Sequence, residues 1–185
     1  MRKIMIVCLF VLFLLSNVFA AGTQTSISKY LCTVKKMELY NGSSWVTIFE
    51  GEKSMDIASV DLHTKVGEIL QGVNLAAGTY TQCRMTLKDT FIVNGTVELS
   101  GTTYYTPSGP SSNPASTTGP AQDTTMINPT GDYVQTVSAN ITIDRDSTKT
   151  AKVNMNTANV LSIDHFGDPV NYYFTLVEPS WTIEG

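Results

Sequence analysis

Charge is scarce in this 185-residue chain: Asp, Glu, Lys and Arg make up 15% of it, and the formal net charge is −4. A sparse, mildly acidic surface excludes the basic footprint by which proteins grip nucleic acid. Histidine is scarcer still, limited to His63 and His165. A catalytic triad or a histidine metal site would need partners that the sequence does not supply. There is no His-Glu-x-x-His, no Gly-x-Ser-x-Gly and no phosphate-cradling glycine loop. His63 reads as a surface or cap residue of a helix, and His165 as part of a turn over residues 164–168. Cysteine occurs three times, without a CxxC or Cys/His cluster, so metal binding through sulfur has no footing. Carboxylates are too scattered to nominate a glycosidase pair. No catalytic residue, metal ligand or cofactor is nominated, and the expectation is a non-enzymatic protein, with a loop-built hydrolase as the minor alternative.

Long apolar runs are missing too, except at the very start. Arg2 and Lys3 precede an apolar stretch over residues 4–15, and Ser16-Asn17-Val18-Phe19-Ala20 follows with small residues where a signal peptidase cuts. The expectation is a signal peptide over residues 1–20, cleaved after Ala20. The alternative, a retained membrane anchor, is disfavoured because about a dozen apolar residues cannot cross a roughly 30 Å hydrocarbon core. Cys8 lies inside the apolar stretch behind Val7, where a lipoprotein would need a small residue. The remaining chain, residues 21–185, is of single-domain size at about 165 residues and is expected outside the cytoplasm: secreted, periplasmic or on the cell surface.

Removing the leader leaves two cysteines, Cys32 and Cys83. In an oxidising compartment such a pair reads first as a disulfide. Closing its loop of about fifty residues would contribute roughly 4 kcal/mol in the chain-entropy model. The alternative is two buried free thiols.

What is abundant is strand signal. Residues 30–40 are rich in β-branched and aromatic side chains. Tyr30, Cys32 and Val34 share one face, then Met37 and Leu39 continue in the opposite phase, which predicts a bulge near Lys35 or Lys36. Asn41-Gly42 predicts a hairpin turn into residues 45–49. One short helix is predicted over residues 61–72, where Leu62, Val66, Ile69 and Leu70 form a stripe between Asp61 as cap and Gly72 as stop. Leu75-Ala76-Ala77-Gly78-Thr79-Tyr80 leads into a strand carrying Cys83, Met85 and Leu87. Asn94-Gly95 predicts a second hairpin, between residues 91–93 and 96–99. Residues 106–129 hold five prolines among Ser, Thr, Gly and Asn, and are expected as a long irregular insertion with no apolar area to bury. Strands resume over residues 133–143, 151–155, 160–163, 171–177 and 180–183. Nine or ten short strands with regular turns predict an all-β fold, an antiparallel β-sandwich. Asp144-Arg145-Asp146-Ser147-Thr148 faintly suggests a calcium loop, but lacks the turn Gly and distal Glu and reads as a solvated turn.

The strand ending at Tyr40, the return Trp45–Phe49 and above all the Leu-x-Ala-Gly-x-Tyr pattern at residues 75–80 resemble secreted bacterial transthyretin-like (prealbumin-like) domains. The resemblance covers about a third of the chain, from Val34 to Leu87, and its motif is shared with many Ig-like modules. It implies an envelope or surface protein and carries over no functional residue.

The leading functional expectation is therefore a structural or adhesive module of the cell envelope, including a subunit of a surface fibre. In that version partners would be further copies of the chain, and residues 21–28 would be either a donated strand or the first strand of their own sheet. The alternative is a carbohydrate- or ligand-binding module using exposed tyrosines, since Tyr104-Tyr105 and Tyr172-Tyr173 each put rings on both faces of a strand.

Overall fold

A computed structural model describes residues 22–58, 74–145, 152–168, 170–176 and 180–184. The expected leader, the helix expected over residues 61–72 and residues 146–148 of the charged turn lie outside the described residues. Twelve strands are described: β1 Thr23–Tyr40, β2 Trp45–Asp56, β3 Gly78–Leu87, β4 Thr90–Leu99, β5 Thr102–Tyr105, β6 Gly109–Pro110, β7 Thr124–Ile127, β8 Tyr133–Ile143, β9 Lys152–Asn156, β10 Leu161–Asp164, β11 Tyr173–Leu176 and β12 Ser180–Glu184. Eight form one sheet, while β10–β11 and β9–β12 form two-stranded sheets. The fold is all-β and antiparallel but for the short parallel pair β6–β7.

The large sheet is built of rows. β1 pairs with β3 over its second half and with β4 over its first, so β3 and β4 lie end to end along it. On their far side β5 and β7 line β4, and β8 lines β3. β2 borders β1 on the opposite edge. Every row breaks at the same level. In β1 the register slips between Val34 and Lys36, the bulge that the change of phase predicts. Opposite it stand Gly51 and Glu52 of β2, the step from Leu87 to Thr90, and the step from Ile127 to Tyr133. Bulges bend strands and let them turn corners, so aligned breaks crease the sheet. Ion pairs tie the rows beside this line: Lys35 to Asp132 at 2.5 Å and Lys88 to Glu52 at 3.3 Å.

One continuous apolar cluster runs through the molecule, from Tyr30, Val34 and Met37 on β1 to Phe174 on β11 and Trp181 on β12. β10 packs over β4 at close range. A Cβ at Gly95 would stand 2.5 Å from the Ser26 carbonyl oxygen and 2.8 Å from Leu161 Cδ1. This explains a departure from expectation. Asn94-Gly95 is not a turn; β4 runs straight through it, and Gly95 is there because nothing larger fits. The hairpin turn comes later, at Ser100 and Gly101, both with positive φ (52° and 79°), as a two-residue turn with the twist of its strands requires.

The disulfide expectation is also corrected. Cys83 faces Leu39 in the register, seven positions along β1 from Cys32. At roughly 3.3 Å per residue that is far beyond the roughly 4.4–6.8 Å between Cα atoms that a bridge spans. Both cysteines are free and buried, and burial pushes each thiol up to about 12, which keeps it protonated.

Residues 106–129 refine the expectation rather than overturn it. They are irregular over most of their length, as expected, but they also contribute the short strands β6 and β7 to the sheet. Proline removes backbone donors, yet backbone bonds still tie the segment together and to its neighbours, among them Gly109 to Asp123, Ser111 to Thr125 and Ala115 to Tyr172, and buried threonine hydroxyls add to them. Buried Thr106 accepts from the Gly95 amide (3.1 Å) and donates to the Gln122 carbonyl (2.7 Å). Buried Thr124 donates to the Pro107 carbonyl. Tyr105 and Ser116 exchange two backbone bonds, at 2.7 and 3.1 Å.

Candidate functional site

The crease leaves a cavity of about 390 Å³. Its walls come from both sides of the register breaks: Tyr30 from β1, Leu87 at the end of β3, Phe91 at the start of β4, Met126 at the end of β7 and Tyr133 at the start of β8. Strands that diverge at a bend leave room between side chains that would otherwise interdigitate. Tyr30 and Phe91 meet edge to face, with centroids 6.0 Å apart. β11 closes the cavity with Phe174, Thr175 and Leu176. The polar residues of the lining are Ser111, Asn128, Thr175 and Tyr133.

The rim is apolar and open. Ile127 is 63% exposed and Phe166 64%. Phe166 sits in the turn between β10 and β11 at φ 44°, a left-handed conformation that is a genuine outlier for a bulky residue. Its surroundings force it there. Asp164 Oδ1 accepts from the amides of His165 (2.7 Å) and Phe166 (3.3 Å). His165 Nδ1 accepts from the Gly167 amide at 3.1 Å, and its ring meets Tyr172 edge-on. On the far side Asp168 accepts from the amides of Val170 (2.8 Å) and Asn171 (3.1 Å), from Asn171 Nδ2 (3.0 Å) and from the Tyr173 hydroxyl (3.0 Å). These bonds, the Val170 amide first, hold the Asp168 carboxyl down to about 2. A strained, over-determined residue at a cavity mouth is where function is sought.

Residues 22–162 match the family described as Domain of unknown function (DUF4382). The chain belongs to that family. The matched stretch holds the cavity walls from β1 to β8, while Phe166 and β11 follow it. No curated protein and no solved structure matches the chain. No match names the transthyretin-like group, so what stands of that resemblance is a β-rich domain of unknown function.

The residues singled out from sequence fall elsewhere or are already occupied. Tyr104 and Tyr172 are not exposed platforms; they are half-buried, with centroids 5.0 Å apart. Tyr105 and Tyr173 are half-buried as well. His165 belongs to the turn as expected, and His63 lies outside the described residues. Tyr80, from the Leu-x-Ala-Gly-x-Tyr pattern, is a core residue whose hydroxyl donates to the Ala76 carbonyl at 3.0 Å. A second aromatic cluster, on the outer face of β1–β3, is closed on itself. Arg84 lies 4.2 Å from the Trp45 ring centre and pairs with buried Glu38 at 2.7 Å, and Lys36 pairs with the same carboxylate at 3.0 Å. Burial pushes Glu38 up, but the two cations win and hold it below its usual value. Sequence reading missed Phe166. The available signal was a large aromatic residue inside a turn rich in Asp and Gly, where burial cannot be its purpose.

Proposed function

We propose that this chain is a non-enzymatic, extracytoplasmic β-sandwich of the Ig-like or transthyretin-like kind that binds a small ligand in the cavity beneath Phe166. The observation that carries the reading is the pairing of a partly open aromatic cavity with an exposed, conformationally strained phenylalanine at its mouth. The volume lies within the roughly 300–1,000 Å³ of small-molecule sites. The leader supports export, and β10–β11 packed over β4 supports the two-layer description. The test is native mass spectrometry of protein purified gently from its own host. A co-purifying small molecule that Phe166→Ala reduces is the expected outcome, and a bare chain mass at every collision energy would count against the reading.

The structural or adhesive reading, with self-assembly into a fibre, comes second. In its favour is the uncharged face of residues 23–28. Against strand donation stands the pairing of this segment with β4 in its own sheet. Exposed Glu50, Glu52 and Lys53 on the outer strand β2 also discourage edge-to-edge growth. Filaments in surface-sheared material would revive it.

A further inference from the structure

Resting on the binding reading above, the chemistry of the lining narrows the ligand. Among the described residues that line the cavity none carries a charge; the polar groups are hydroxyls and one amide. Charged side chains near the lining are already engaged: Lys35 with Asp132, Lys88 with Glu52, and Asp164 and Asp168 with backbone amides of the Phe166 turn. An ionised group taken into such a site would lose its hydration with no counter-charge in return, which is strongly unfavourable. The remaining surface is dominated by rings. Tyr30, Phe91, Tyr133, Phe166 and Phe174 all face the same space, and rings favour other rings through edge-to-face and offset contacts beyond simple area burial.

We infer that the ligand is an uncharged, mainly aromatic molecule of about two to three rings, with a hydrogen-bonding group directed at Asn128, Ser111 or Thr175. Phe166 covers the bound ring system from the solvent side. Its exposed position is then explained by what it contacts when the site is filled, and Asp164 and Asp168 hold the turn in the conformation that aims it.

Two dyes that differ by one charge test this. N-phenylnaphthylamine is neutral, and anilinonaphthalene sulfonate adds a sulfonate to the same ring system. Both are titrated into the full exported protein and followed by fluorescence. The neutral dye is expected to bind saturably at one site, at least about tenfold more tightly than the sulfonate. Phe166→Ala, at an exposed position that does not threaten folding, is expected to weaken the neutral dye about threefold or more through lost ring contact. Thr175→Lys places a cation in the lining and is expected to shrink or reverse the preference for the neutral dye. A sulfonate that binds as well as or better than the neutral dye overturns the inference on charge while the binding reading stands. Affinities untouched by both substitutions place the dye elsewhere and overturn the assignment to this cavity. No saturable binding of either dye removes the binding reading itself.

Discussion

The β4–β10 contact and the segment from Thr106 to Pro129 are both ordered parts of the same molecule, but different forces hold them. At β4–β10 the chain closes by apolar packing around a missing side chain. Gly95 lets Leu161 rest against the sheet, and Val97, Phe91 and Ile163 are buried around it. In the proline-rich segment Met126 is the large apolar side chain that is buried, and backbone bonds to neighbouring segments together with the Thr106 and Thr124 hydroxyls carry the order. Composition alone suggests that a segment unable to bury apolar area stays irregular. The comparison shows the exception: backbone pairing to neighbouring segments, supplemented by two buried threonine hydroxyls, orders a segment with little apolar area to pack.

If that division is right, substitutions should rank accordingly. Leu161→Ala removes buried side-chain atoms at this close contact and is expected to cost about 2–5 kcal/mol, read as a drop in chemical-denaturation midpoint. A cost under half a kilocalorie would mean that β10 is not part of the core. Gly95→Ala forces a Cβ against a backbone oxygen that cannot retreat, and is expected to cost about 3 kcal/mol. Combined with Leu161→Ala it should cost less than the sum, because one of its two clashes is then gone; strict additivity would refute the shared contact. Thr106→Val leaves the Gly95 amide and the Gln122 carbonyl without that partner, and is expected to cost about 1–2 kcal/mol. A neutral result would show that the proline-rich segment is held by something other than its hydroxyls.

Acid offers a milder probe. The Asp168 carboxyl sits at about 2 instead of its ordinary 3.8. Its contribution is therefore complete above about pH 4 and is lost as the pH falls through about 2. Hydrogen exchange at Val170 and Asn171 should accelerate over that window, and Asp168→Asn should abolish the pH dependence. The smallest effect expected is none. Added reductant should leave the thermal midpoint unchanged, since Cys32 and Cys83 are free. A fall on reduction would break the β1–β3 register described above.

Much of the fold is legible in the sequence because it is local. Alternating apolar residues mark the strands, the change of phase after Val34 marks the bulge, and Asn41-Gly42 marks the first hairpin, where Asn41 Oδ1 accepts from the Ser43 and Ser44 amides at 3.0 and 2.9 Å. The same local logic misreads Asn94-Gly95, because a glycine selected for closeness to Leu161 looks identical to one selected for a turn. It pairs Cys32 with Cys83, because counting cysteines carries no information about register. The cavity is not legible at all, since its walls are contributed by residues as far apart as Tyr30 and Leu176.

By itself, then, the sequence determined a strand-rich, sparsely charged chain, and it placed most strands and one bulge. Only the tertiary structure decided which strands are neighbours, that four rows break at one level, and that an aromatic cavity opens there beneath Phe166. The reason is physical. Strand formation follows from the backbone and side-chain pattern of a few consecutive residues. Pairing, register and the space left at a bend depend on contacts between segments that are distant in the chain, and those energies exist only once the segments meet.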